Sequence, residues 1–455
     1  MSGPPLISVI GATGTGKSQL AVELALSLNG EVINADAMQL YRGLPIITNK
    51  ITSEERKGVP HHLLGCLDPS DVWQVGKFIK EAEKTIEDIR RRGHLPILVG
   101  GTHYYVQSLL FPHGNEEKKE DADNEYAFPP VDINLAEKYP VLDAPTPKLY
   151  SALKAVDPII AARWHPNDRR KIRRSLEIYY STGCKQTASE VYAAQRAAKQ
   201  QSVSPDIPKY RNLIFWVHSE TDVLRARLDS RVGKMITAGM WEEIEEMERL
   251  YYSFGDEADL NQGIWQSIGF KEFLPYLKMR KTGAGEKELE EARTAAVENM
   301  KTATRQYARS QVKWVRIKFL NALRAANESG NHSSIFLMDS TDVPKYDENV
   351  TLPAIDIAQD FLEYKLLPNP LTLSELAKTC LTPQRDFDIS QRPDLWAQRT
   401  CEVCDVITTN EPEWERHLKS SKHKKKVAGT KKKEEIEKFL RKRGEAEASQ
   451  KETEA

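Results

Sequence analysis

Gly11-Ala12-Thr13-Gly14-Thr15-Gly16-Lys17-Ser18 spells a complete G-x-x-x-x-G-K-[ST] phosphate loop directly after the apolar run Leu6 to Ile10. Its surroundings decide the fold. An apolar strand enters the glycine turn, and Leu20, Leu24 and Leu28 recur on one face of the helix that leaves it. In that setting the N–H groups of the turn and of the helix N-terminus converge on an anion. Lys17 adds a point charge, and Ser18 is placed to ligate the magnesium that accompanies di- and triphosphates. The loop is a polyphosphate site, for which ATP or GTP is the default ligand.

Working outward, a second strand from Glu31 to Asn34 delivers Ala35-Asp36-Ala37-Met38-Gln39 at its C-terminal end, the edge of an open α/β sheet where ligands sit. A helix from Val75 to Arg92 stops at Gly93, Leu95 to Val99 forms another strand, and Gly100-Gly101-Thr102 opens a further helix. The alternation predicts an α/β fold with a P-loop NTPase-like, doubly wound parallel sheet core, a helical insertion domain and a C-terminal Cys2His2 zinc finger. Residues 1–110 begin the core, and residues 111–208 are a mainly helical insertion that opens on an acidic stretch, 116–125. The strand Asn212 to Val217 resumes the core, which residues 209–325 complete with a long helical region reaching Phe319. Residues 326–398 are expected to be a linker, with a loop at 327–335 and short helical pieces after 365. A finger occupies 399–430 and a charged tail 431–455.

At 455 residues the chain can bury a large core, and its formal charge is near zero, with 65 basic against 66 acidic side chains. Basic surface must therefore be local. Lys419 to Lys433 holds eight lysines and no acid, which suits a polyanionic partner. No apolar stretch approaches the roughly 20 residues of a membrane span. The polar start runs within a few residues into the first strand, so no secretory or transit peptide is expected. A cytosolic or nuclear location follows, with a mitochondrial pool left open. Cys66, Cys184 and Cys380 stand alone as ordinary thiols.

Three constellations carry chemistry. Asp36, at a strand end facing the phosphate loop, is placed to accept a proton from a substrate amine, to bind magnesium, or simply to cap a helix. The strand Leu95 to Val99 ends in Gly100-Gly101 where many nucleotide hydrolases carry a Walker B aspartate, which speaks against an ATPase. Two helices concentrate cations. In the insertion, Asn167 is the expected cap of a helix whose apolar stripe is Ile172, Leu176 and Tyr179, with Arg170, Arg173 and Arg174 on another face. Later, Lys301, Arg305, Arg309 and Lys313 recur every four residues opposite Val297, Met300, Thr304, Tyr307 and Trp314, a spacing that can track a phosphate backbone. Finally, Cys401-x2-Cys404-x12-His417-x5-His423 matches tetrahedral zinc spacing in a segment too small to fold without metal.

Taken together these strings resemble the tRNA dimethylallyltransferases, also called tRNA isopentenyltransferases. The resemblance is carried by the phosphate loop, Ile33-Asn34-Ala35-Asp36-Ala37-Met38-Gln39-Leu40-Tyr41, Ile47-Thr48-Asn49-Lys50, His61-His62-Leu63-Leu64 and Val99-Gly100-Gly101-Thr102-His103-Tyr104-Tyr105. Asn167 to Glu177 and Ser267-Ile268-Gly269-Phe270-Lys271-Glu272-Phe273 extend it to about residue 320. Thr48-Asn49-Lys50 and a matrin- or U1-type finger resemble the eukaryotic branch.

The resemblance implies that Gly11, Ala12, Thr13, Gly14, Thr15, Gly16, Lys17 and Ser18, with magnesium, hold the diphosphate of dimethylallyl diphosphate. Asp36 would take the N6 proton of the adenine just 3′ of a tRNA anticodon, and Thr13 would stand beside the bridging oxygen. An arginine of Leu224 to Arg231 would clamp the diphosphate, Arg227 being preferred and Arg231 the alternative. Contacts to the tRNA anticodon stem-loop are expected from Asp36, Ala37, Met38, Gln39, Arg170, Lys171, Ile172, Arg173, Arg174, Gln266, Ser267 and Ile268, beside Lys301, Arg305, Arg309 and Lys313. A monomer is expected. The competing readings are a P-loop kinase of a small metabolite or nucleotide, which leaves finger and basic helices idle, and a non-enzymatic RNA-binding finger protein with a vestigial loop.

Overall fold

The computed structural model describes residues 3–111, 135–201, 209–253, 260, 262–383 and 392–453; the acidic stretch 116–125 lies outside them. Two compact bodies result, one from residues 1–113 with 203–386 and the other from 114–202 with 387–455.

The first body is built on six parallel strands: β1 (Pro5–Gly11), β2 (Gly30–Asn34), β3 (His61–His62), β4 (Leu95–Gly100), β5 (Arg211–His218) and β6 (Ser334–Asp339), in the order β3-β2-β4-β1-β5-β6. β1 is central, with Ile7 opposite both Ile97 and Leu213. Because successive side chains point to opposite faces, Leu6, Ile10, Ile33, Leu98, Ile214 and Trp216 fill one layer. Ile7, Val9, Val32, Ile97, Leu213 and Phe215 fill the other. All are fully enclosed, each contributing about 1.5–3 kcal/mol, and burial on both faces is why these strands read as continuous apolar runs. The helices Lys17–Leu28 and Leu352–Leu362 cover the second layer. Val75–Arg91, with Phe78, Ala82, Ile86 and Ile89 inward, and His103–Leu110 cover the first.

The missing Walker B carboxylate has a steric reason. The chain leaving β2 crosses the end of β4, where the Ala35 amide donates to the Val99 carbonyl (2.7 Å) and the Thr102 amide to the Ala35 carbonyl (3.3 Å). A Cβ on Gly100 would collide with the Ala35 carbonyl.

The expected linker at 326–398 is corrected. β6 pairs with β5 from Leu213 opposite Ser334 to His218 opposite Asp339, and Ile335, Phe336, Leu337 and Met338 are buried. The polar run before it disguised the strand. The Asn327 side chain accepts from the Ser333 amide and donates to its carbonyl (both 2.9 Å), turning a loop-like sequence tightly into the sheet. Helix Leu352–Leu362 then packs Ala354, Ile357, Ala358 and Phe361 onto the core. Among the described residues, Pro370–Thr372, Glu375–Leu381 and Pro393–Leu395 match the expected short helical pieces.

In the second body, Leu142, Leu149, Leu153, Ile160, Ile172, Leu176 and Ile178 form the core of the insertion helices. Asp168, not Asn167, caps Arg169–Ser181, its carboxylate accepting from the Lys171 amide (3.2 Å). The finger adds the antiparallel hairpin of β7 (Trp396–Thr400) and β8 (Ile407–Asn410), then helices Glu411–Lys419 and Ser421–Thr453. It is built onto the insertion. Trp396 packs against that core, Tyr150 Oη donates to Gln398 Oε1 (2.9 Å), and the Arg163 guanidinium lies 4.2 Å from the Trp164 ring and 4.6 Å from the Trp396 ring. Among the described residues no helix is long and apolar enough to cross a membrane.

Candidate active site and zinc centre

The phosphate loop leaves β1 and enters helix Lys17–Leu28 with Gly14 and Gly16 left-handed (φ 85° and 93°), a conformation that turns successive N–H groups toward one side. Side chains must also keep clear there. A Cβ on Gly14 would press on Leu228, and one on Gly16 on the Tyr346 ring, whose hydroxyl donates to the Gly16 carbonyl (2.8 Å). Thr15 Oγ1 and Lys17 Nζ both donate to the Ala12 carbonyl (2.9 and 2.7 Å), closing the loop on itself. Ser18 is exposed at the first helical turn, its hydroxyl accessible to a ligand.

Asp36 follows β2, its amide donating to Asn34 Oδ1 (3.0 Å) and its Oδ1 accepting from the Met38 amide (3.1 Å). Burial raises its carboxyl above the usual range, against the pull of Lys17 and of its backbone bonds. Burial likewise brings Lys17 down to about 8 despite Asp36. A carboxylate and an ammonium thus share a desolvated site, each nearer neutrality than in water, as suits a proton acceptor beside an anion cradle.

The structure brings Arg231, not the preferred Arg227, to this site. Both lie on helix Thr221–Thr237, but Arg227 Nη2 donates to the carbonyls of Ser340 and Thr341 (2.6 and 2.7 Å), tying down the chain after β6. Arg231, one turn on, donates to Thr13 Oγ1 (2.8 Å), and burial lowers it to about 10 against the attraction of Asp36. Spacing alone cannot separate two arginines on one helix; the carbonyls that engage Arg227 belong to the segment taken for a linker.

The remaining predicted residues are distributed unevenly. Gln39 Nε2 donates to the carbonyls of Asn49 (2.9 Å) and Thr48 (3.3 Å), fixing it beside the Ile47-Thr48-Asn49-Lys50 turn, whose Ile46 and Ile47 amides are held by the buried Glu243 (2.8 and 2.7 Å). Gln266 is exposed, Ser267 is buried and Ile268 half-buried, in a segment that packs Gly269 against Ile47. On helix Glu286–Trp314, Lys301 pairs with Glu298 (2.7 Å) and Arg305 with Asp229 (2.7 Å), while Arg309 and Lys313 are exposed. In the insertion Arg170 and Lys171 are exposed and Lys171 pairs with Asp168 (2.7 Å). Arg173 bonds Asp143 (2.9 Å) and Glu177 (3.0 Å), and Arg174 bonds Glu177 (3.4 Å). Ile172 is corrected: it is fully buried in the insertion core and offers no contact surface.

Four residues around the loop were given no role by the sequence, and two of them, Gln311 and Tyr346, lay outside every quoted motif. Gln311 bonds the Thr13 amide, Tyr346 the Gly16 carbonyl, and His103 the Gly11 backbone (3.2 Å). His103, buried and brought down to about 3 chiefly by burial with help from Lys17, is neutral. Lys50, brought to about 8 by burial, feels both Glu243 and Asp36. Sequence reasoning missed Gln311; its place at helical spacing in line with Ala296, Met300, Thr304 and Ala308 is the one signal that could have found it.

In the finger, the ligand atoms of Cys401, Cys404, His417 and His423 all lie within 4.8 Å of one another. Cys401 and Cys404 Sγ stand 3.6 and 3.4 Å from His423 Nδ1, and His417 Nε2 is buried with no protein partner. Two thiols and two imidazoles converging on one point, with an orphaned nitrogen aimed inward, fit tetrahedral zinc.

The IPP transferase family pattern matches residues 39–318, and a C2H2-type zinc-finger pattern matches residues 399–423. The chain is 37% identical to the tRNA dimethylallyltransferase of Saccharomyces cerevisiae, covering 95% of this chain and 94% of that one. Identity to the Schizosaccharomyces pombe protein is 38% (96% and 98% covered), and to the Homo sapiens protein 34% (92% and 85%), both also named tRNA dimethylallyltransferase. A crystal structure of a eukaryotic dimethylallyltransferase acting on tRNA superposes with a TM-score of 0.70 at 35% identity, covering 96% of this chain and all of that one. The transferase pattern spans more than half of the chain and the relatives align over nearly all of it, so the chain belongs to the IPP transferase family of tRNA dimethylallyltransferases.

Proposed function

We propose that this protein transfers a dimethylallyl group from dimethylallyl diphosphate to the exocyclic N6 of the adenine adjacent to the 3′ side of a tRNA anticodon. The observation that carries it is that the phosphate loop and the Asp36 turn are held together, Gln311 bonding the Thr13 amide (2.8 Å) and the Gly101 carbonyl (2.9 Å) next to Asp36, so that an acid–base group stands beside a leaving-group cradle. The bond between the allylic carbon and the bridging oxygen breaks, N6 bonds to that carbon, and the N6 proton passes to the Asp36 carboxylate as diphosphate departs.

Lys17, the loop amides and Arg231 neutralise the charge that grows on the leaving group, and Thr13 donates toward the bridging oxygen while Arg231 holds its hydroxyl. Ser18 is the residue that would hold magnesium, which supplies further neutralisation of the diphosphate. The adenine must be turned out of its stack to reach Asp36, with Gln39 reading its edge. Arg309, Lys313, Arg170 and the lysine-rich finger helices supply phosphate contacts for the anticodon stem-loop. Zinc stabilises the finger, and the protein acts as a monomer.

The test is incubation with labelled dimethylallyl diphosphate and unmodified tRNA, with ATP as a competing donor. Label should enter tRNA as N6-isopentenyladenosine with release of diphosphate and no use of ATP. Phosphoryl transfer from ATP to a small acceptor, with tRNA unlabelled, would replace this account with a kinase.

A further inference from the structure

Helix Glu286–Trp314 reaches both turns of the site through a single buried amide. Gln311, 4% exposed, accepts from the Thr13 amide at Oε1 (2.8 Å) and donates from Nε2 to the Gly101 carbonyl (2.9 Å). The Gly101 end abuts the base: a Cβ built there would meet the Gln311 amide nitrogen and also Asp36 Oδ2, at 3.2 Å. The turns of Gly101 and Asp36 are also joined directly, Thr102 Oγ1 accepting from the amide of Ala37, the residue after Asp36 (2.9 Å). His103 bonds the Gly11 backbone (3.2 Å).

Packing does not require an amide here. Met300, Thr304 and Ala308 line the same buried face, and a polar side chain at such a place is costly unless both its groups are bonded. Both are bonded, one to each loop. Thr13 acts at the oxygen that departs and Asp36 at the amine that attacks, so the distance between these loops sets the line of the reaction.

We propose that Gln311 is a positioning residue for the transfer, bridging the Thr13 loop and the Asp36 turn so that leaving-group donor and base stay in register. This rests on the roles given above to Thr13 and Asp36. Gln311 touches neither substrate and acts through the two loops. Removing the bridge should therefore lower the rate of the bound complex and leave binding nearly alone.

The test uses Q311L, T13A and the double variant in single-turnover transfer to tRNA at saturation. Affinities are read separately with the unreactive dimethylallyl S-thiolodiphosphate and with tRNA. Q311L should lose about 10- to 100-fold in rate, the scale of a misplacement near 1 Å, while both dissociation constants move less than about threefold. Placed on T13A, Q311L should cost less than about twofold more, because Thr13 is already silent. An unchanged rate, a loss confined to affinity, or fully multiplicative losses in the double variant would overturn the proposal. If Q311L does not fold, Q311N decides: it keeps the amide but is too short to span both loops, and a wild-type rate there refutes the bridge. Wild-type protein that labels no tRNA defeats the proposed function; wild-type labelling with an unimpaired Q311N or Q311L defeats only this inference.

Discussion

Affinity for the diphosphate should depend on pH through Lys17. Burial brings this lysine down to about 8, so in the free protein it loses its charge within the range where most lysines keep theirs. An anion binds the protonated form and holds the proton more tightly in the complex. Affinity is therefore fully present below pH 8 and falls as pH rises through 8, up to tenfold per pH unit. Between pH 7 and pH 9 the protonated fraction drops about tenfold, equivalent to about 1.4 kcal/mol of binding. Calorimetry with dimethylallyl S-thiolodiphosphate at fixed magnesium, from pH 6.5 to 9.5, should show that loss. The K17R variant, charged throughout, should show a flat profile whatever its absolute affinity. Flat wild-type affinity across pH 7 to 9.5 would refute the assignment of Lys17 as the charge that meets the diphosphate. A fall that persists in K17R would move it to another group, of which Lys50, also brought to about 8, is the nearest in character.

Other outcomes follow from the same geometry. D36N should lose about 10²- to 10⁴-fold in transfer while tRNA and the thiolo analogue still bind. Because burial raises the Asp36 carboxyl, the wild-type rate should fall as pH drops, and earlier than an ordinary aspartate would allow; a rate that stays level down to the ordinary aspartate range counts against Asp36 as the base. R231A should weaken binding of the thiolo analogue, whereas R227A, having lost its bonds to Ser340 and Thr341, should chiefly lower the melting temperature; the reverse pattern would restore Arg227 to the clamp. Stripping zinc with a chelator, or C401S, should raise the dissociation constant for tRNA and flatten its salt dependence without changing single-turnover transfer at saturation, and an unchanged salt slope would give the finger another role.

Elements whose signal is local were legible in the chain. The phosphate loop, the strand before it and the helix Val75–Arg91 declare themselves through glycine spacing and apolar periodicity. The zinc ligands do so through spacing that metal geometry demands. β6 failed that test because its buried run, Ile335 to Met338, is only four residues long and follows a polar loop that Asn327 folds back on Ser333. Ile172 was counted among the tRNA contacts that the resemblance implied, although the apolar stripe on which the sequence had placed it with Leu176 already accounts for its burial.

The sequence by itself therefore determined the groups on offer: a glycine loop of phosphate-binding pattern, an aspartate at the next strand end and a four-ligand metal site, all encoded within short windows. Tertiary structure decided how these are held. Arg231 rather than Arg227 meets Thr13 because Ser340 and Thr341, more than a hundred residues away, engage the other arginine. The Thr13 loop is tied to the turn beside Asp36 by Gln311, which lies 298 residues beyond Thr13. Such bonds leave no periodicity to read, since their partners become neighbours only when the sheet has brought the strand ends together.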